Sequence, residues 1–193
     1  MFSWSAFLTY VVITAITPGP NNLMSLSNAS RVGFRRAMPF NLGMATGLSL
    51  LMVLCTLFCS LLSSLIPKIK LPMLILGAIY MLHLAWKIFN SSSELEEKTG
   101  EYTFLQGFVL QFVNVKLYLY GILSMEVYIL PYFAGQTGVL IGFALLLAAV
   151  CFCSICSWSA FGSVFRLLFS KYAKVTNTIM ALLLVYCAVA LFF

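Results

Sequence analysis

The chain has 193 residues, 62% hydrophobic and 8% charged, with a mean hydropathy of +1.03 and a formal net charge of +6. A soluble domain is about half apolar and about a quarter charged, so there is too little polar surface here to coat a globule in water. The basic balance does not point to nucleic acid, because the charges lie in short patches between apolar runs, as in membrane-protein loops.

A helical crossing takes about 20 mostly apolar residues, and the sequence predicts six, all α, in a single domain over 1–193. The first, 4–29, has no basic leader region or cleavage pattern and is read as retained. It holds T-P-G-P-N-N, Thr17 to Asn22. Pro18 and Pro20 each delete a backbone donor and clash with the preceding turn, while Gly19 loosens the chain. Unpaired backbone at mid-membrane is tolerated only where it faces protein or a water-filled cavity. Thr14, Thr17, Asn21, Ser25 and Asn28 recur at intervals of three or four, which is one helix face. Two readings stand: a packing kink with polar side chains as interhelical glue, or a substrate site at a discontinuous helix.

The second segment, 38–65, opens near Gly43-Met-Ala-Thr-Gly47, and the third, 72–89, carries His83 with Tyr80 and Lys87. The only histidine could titrate in a coupled mechanism or serve as a buried hydrogen bonder. The loop that follows holds E-L-E-E-K, a solvated run. In the fourth segment, 104–125, Gln111, Asn114, Tyr118 and Gly121 fall on one stripe, with Lys116 beside them. A cation this deep is costly and marks function unless it snorkels to the interface. Lys116 is the residue expected to meet a substrate carboxylate. Glu126 closes this helix as an external interface residue.

The fifth segment, 137–160, opens with Gly138-Val-Leu-Ile-Gly142, and the sixth is 175–193. All six cysteines lie in apolar segments, where small buried thiols are expected rather than disulfides or a metal site. Trp4, Trp86 and Trp158 fit interface anchors.

Eight of the 11 Lys and Arg fall in the odd-numbered loops and two in the second, so the odd loops are expected in the cytoplasm and both termini outside. Pro18 precedes Gly43 by 25 residues and Asn114 precedes Gly138 by 24. The expectation is a 3+3 inverted repeat, halves about 1–90 and 104–193, each second helix packing through its G-x-x-x-G. Exposed G-x-x-x-G faces would also permit a homodimer.

A membrane-embedded enzyme would need a nucleophile–base pair, paired carboxylates or a metal cluster; the chain has one His and no Asp, and no cofactor is expected. A scaffold would need neither the broken helix nor Lys116. The run from T-P-G-P-N-N through F-N-L-G-M-A-T-G, with I-L-G-A-I-Y-M-L-H-L-A-W-K-I, strongly resembles the LysE/RhtB family of amino-acid exporters. The likeness covers nearly the whole chain. Q-F-V-N-V-K and V-Y-C-A-V are similar to its cysteine/O-acetylserine-exporting branch. The resemblance implies a bacterial inner-membrane efflux protein whose small amino-acid substrate meets Thr17, Pro18, Gly19, Pro20, Asn21, Asn22, Gln111, Asn114 and Lys116. Exporters of homoserine, threonine or other neutral amino acids are the alternatives within it. Most of the family has N-P-K where this chain has Asn114-Val115-Lys116, so no proline is present to break the fourth helix.

The orientation has a direct test. Alkaline phosphatase, active only outside the cytoplasm, should be active when fused after Phe193 and inactive when fused at Lys98; the reverse pattern would invert the topology.

Overall fold

The computed structural model describes residues 2–90, 102–165 and 172–190, apart from the side chains of 60–70, 73, 77, 80, 87, 173 and 190. The acidic run from Glu94, Arg166 and Lys171, and the side chains of Lys68, Lys70, Tyr80 and Lys87, lie outside the description. Among the described residues all regular structure is helical.

The first predicted segment is two helices, α1 (Trp4–Ile16) and α2 (Pro20–Val32), broken where the prolines sit. Gly33, at φ 85°, turns the chain directly into α3 (Phe34–Leu57), a backbone region open chiefly to glycine. The first predicted loop therefore shrinks to one residue, and Arg35 and Arg36 enter the first turn of α3. The part-buried Phe34 amide there donates to Ser163 Oγ at 3.1 Å.

After Phe58, α4 runs unbroken from Cys59 to Phe89. This corrects the predicted break at I-P-K-I-K-L-P. That break rested on two prolines and two lysines, yet each proline removes only one helical hydrogen bond and kinks rather than forbids a helix.

The fourth segment is also broken. A capping box between Thr103 and Gln106 opens α5 (Phe104–Val113), as S/T-x-x-E/Q patterns do. Asn114 is extended, and α6 (Val115–Leu123) leaves at 64°. A π-helical turn, Ser124–Ile129, and α7 (Leu130–Phe133) lead to α8 (Thr137–Val164); α9 is Ala173–Ala190.

By length and apolar composition α3 and α8 are able to cross a membrane, and a third span forms if the bent α5–α6 pair counts as one. Large apolar side chains stand exposed on every long helix, among them Val164 at 76% and Trp86 at 70%. In water such a surface would be an aggregation liability; against lipid it is the natural outer face.

Two apolar cores are packed inside. One joins α1, the C-terminal part of α3, α6 and the start of α8 through Phe7, Leu48, Met52, Tyr120, Phe143 and Leu147. The other joins α2, the start of α3, α4, α5, the later part of α8 and α9 through Leu23, Met44, Leu84, Leu110, Ile155 and Leu184. On each of the broken helices the handover between cores falls at buried polar residues: Asn21 and Asn22 on one, Gln111 and Asn114 on the other.

Glycine fixes the closest crossings. A Cβ on Gly43 or Gly47 would run into the carbonyls of Phe104 or Phe108, and one on Gly107 into that of Phe40. Thus α3 and α5 meet backbone to backbone, as small-residue interfaces allow. Gly162 likewise meets Leu26 O and joins α8 to α2. Gly138 and Gly142 have nothing within 4 Å, which corrects the expectation that both G-x-x-x-G motifs pack alike. The motif only permits close approach, and among the described residues none comes within 4 Å of a Cβ built on either glycine of the second one.

Gly107→Ala should therefore lower the melting temperature in detergent, overpacking costing about 1–3 kcal/mol. Gly142→Ala, in open space within a helix, should leave it unchanged or raise it.

Candidate functional site

Broken helices expose backbone groups, and the site grows from how these are paired. Pro18, Gly19 and Pro20 interrupt the ladder at the end of α1, freeing carbonyls. Ala15 O accepts from Asn22 Nδ2 at 2.9 Å and from Ser154 Oγ at 2.9 Å. Ile16 O accepts from Trp158 Nε1 at 3.2 Å. Thr17 O accepts from Asn22 Nδ2 at 3.0 Å and from Lys116 Nζ at 3.1 Å. Thr17 Oγ1 itself bonds back to Ile13 O. Trp158, half-buried, thus donates to a backbone carbonyl at the end of α1.

A second network joins the two breaks. Asn21 Nδ2 donates to Gln111 Oε1 at 2.7 Å, and Asn114 Nδ2 donates to Asn21 Oδ1 at 3.1 Å. Gln111 Nε2 donates to Gly107 O at 3.0 Å. All three amides are buried, so each bond replaces water that the site excludes. This explains a break without proline: the extended Asn114 reaches across to Asn21 instead of continuing the helix. Further along α2, Ser25 Oγ lies 2.9 Å from Asn41 Oδ1, whose amide donates to Ser159 Oγ at 3.0 Å.

Between the breaks lies a cavity of ≈ 30 Å³, room for about two waters and too small for an amino acid. Of the predicted residues, Gly19, Pro20, Asn21, Asn22, Asn114 and Lys116 line it. Thr17 and Gln111 stand behind, holding Lys116 and Asn21, and Pro18 O faces Cys187 Sγ at 3.8 Å. Gly19 leaves the room Lys116 uses: a Cβ there would lie 3.2 Å from Nζ. The wall also includes Leu117, Tyr120, Cys151 and Ile155, which the sequence reading missed. Nothing in the local pattern marked them, since they look like ordinary core residues of α6 and α8.

Two features of the cavity attract an anion. Both α2 and α6 begin at it, and helix N-termini carry partial positive charge and unpaired amides. Lys116 adds a full cation. Glu126, the sole acid among the described residues, is exposed on the π-helical turn, and His83 is exposed on α4; neither lines the cavity. All six thiols are free.

The family model LysE type translocator matches residues 12–193. The chain is 42% identical to the cysteine/O-acetylserine efflux protein of Salmonella typhi over 98% of this chain and 97% of that one. It is 40% identical to the protein of the same name from Escherichia coli O1:K1 and 39% to that of strain K12, with the same coverage. No solved structure matches it. A helical chain with a cation-lined cavity between two broken helices, matched over almost its whole length, belongs to the LysE type translocator family.

Proposed function

We propose that this protein exports small neutral amino acids, cysteine and O-acetylserine foremost, across a bacterial inner membrane. The cargo is taken from what its relatives are named for. The observation that carries the mechanism is Lys116 at the meeting of two helix N-termini. Its ammonium rests on one backbone carbonyl, Thr17 O. A substrate carboxylate offers a stronger, charge-assisted bond and also faces the free amides of α2 and α6. Binding then trades a neutral acceptor for an ion pair. Enzymatic chemistry has no comparable support, and the family is one of translocators.

Alternating access follows from six crossings in a 3+3 inverted repeat with both termini outside. Matched contacts support that arrangement. The helix starts Gly19 and Asn114 correspond, 95 residues apart. At the same spacing, Ser25 beside Asn41 corresponds to Tyr120, whose hydroxyl donates to Leu147 O. Leu26 against Gly162 corresponds to Gly121 against Cys55. The second helices sit in a longer register because the π-helical turn and α7 lie between α6 and α8 and have no counterpart after α2. Because the cavity is too small for cargo, transport requires one half to rock against the other. The lipid-facing Gly138 and Gly142 leave room for a homodimer.

Counterflow in proteoliposomes tests the reading. Vesicles preloaded with unlabelled cysteine, O-acetylserine or homoserine should take up labelled cysteine, fastest with the first two. Lys116→Met, monodisperse in detergent, should lose about tenfold or more of that exchange, as expected on losing a bond to a charged group. Full exchange by the mutant would remove Lys116 from binding. Absence of exchange with every amino acid, in vesicles where a known carrier works, would contradict transport.

A further inference from the structure

A zwitterion needs a second pole. Lys116 and two helix N-termini all attract a carboxylate and repel an ammonium, so the cation of the cargo must meet an acceptor held against that field. Each other amide oxygen near the cavity already has a partner. Asn21 Oδ1 accepts from Asn114 Nδ2 at 3.1 Å and lies 3.4 Å from Gln111 Nε2. Gln111 Oε1 accepts from Asn21 Nδ2. Asn22 Oδ1 lies 3.4 Å from Ser154 Oγ. Asn114 Oδ1 has no partner, although Asn114 is only 5% exposed and lines the cavity. Buried acceptors are rarely left so.

The orientation of Asn114 is imposed by its neighbours. Gly107 O can only accept, so Gln111 must turn its amide nitrogen toward it at 3.0 Å. Gln111 then presents oxygen to Asn21, which must answer with nitrogen and turn its own oxygen to Asn114. Asn114 donates its nitrogen in return and is left with its oxygen unpaired, on a residue that lines the cavity. A backbone carbonyl on α5 thereby sets, through three amides, the polarity of the cavity wall.

We propose that Asn114 Oδ1 is the acceptor for the substrate's α-ammonium, with Gln111 and Asn21 as positioning residues that keep it an oxygen. This rests on the exporter reading and names its second subsite. A neutral amide suits the role because a carboxylate there would pair with Lys116 in the empty protein and neutralise the carboxylate subsite.

The test is competition against labelled-cysteine exchange by cysteine and by 3-mercaptopropionate, which is cysteine without its ammonium. In wild type, cysteine should inhibit at about tenfold or more lower concentration, the loss expected on removing a hydrogen bond to a charged group. Equal inhibition in wild type would overturn the proposal without any variant. Asn114→Leu should collapse the difference by weakening cysteine alone. Gln111→Leu, which frees the polarity, should narrow it while leaving 3-mercaptopropionate inhibition unchanged. A preserved difference in Asn114→Leu, or equal weakening of both compounds, would overturn it. Should Asn114→Leu fail to fold, the wild-type and Gln111→Leu ratios still decide. Lys116→Met should weaken both compounds, and no wild-type exchange at all would fault the exporter reading instead.

Discussion

Every backbone group in the interior of a membrane protein must be paired within the protein, because lipid offers no partner and an unpaired group costs several kcal/mol. This chain breaks two helices in its interior, and the rest of the structure follows from satisfying those breaks. The carbonyls of Ala15, Ile16 and Thr17 draw in Asn22 from α2, Ser154 and Trp158 from α8 and Lys116 from α6. Four helices converge on one point because the prolines removed the local partners. The interactions that make the break tolerable are the same ones that assemble the cavity.

The second consequence is a site in tension rather than at rest. Lys116 is held by a neutral carbonyl, α2 and α6 begin beside the same cavity without side-chain caps, and Asn114 Oδ1 goes unpaired. Each is an incomplete interaction whose complement is carried by an amino acid: a carboxylate for the first two and an ammonium for the third. Meanwhile the α3–α5 crossing is closed by glycine contacts with no slack. Tight packing there and a small cavity beside it are what a carrier between substrate-binding states would have, since packed interfaces switch between discrete arrangements rather than stretch.

What could be read from sequence was whatever leaves a local mark. Pro18 and Pro20 announced their break because proline acts on its own helix, and Lys116 stood out because an ammonium in an apolar run has no bland solvation. The break at Asn114 left no such mark: it exists because Asn21, 93 residues earlier, offers a partner. The same is true of Asn41, Ser154, Ser159 and Trp158, whose roles depend on which helix lies opposite. Signals weaker than these misled. The prolines of α4 suggested a loop where the helix continues, and Gly138 and Gly142 suggested a seam where no described residue packs.

The central claim is that Lys116 exchanges Thr17 O for a substrate carboxylate at the junction of the two broken helices. The most direct measurement is an experimental structure of the protein with cysteine bound. The account predicts cysteine between the breaks, its carboxylate within hydrogen-bonding distance of Lys116 Nζ, and Nζ withdrawn from Thr17 O. Cysteine bound elsewhere, or bound there while Lys116 stays on Thr17 O, would contradict it.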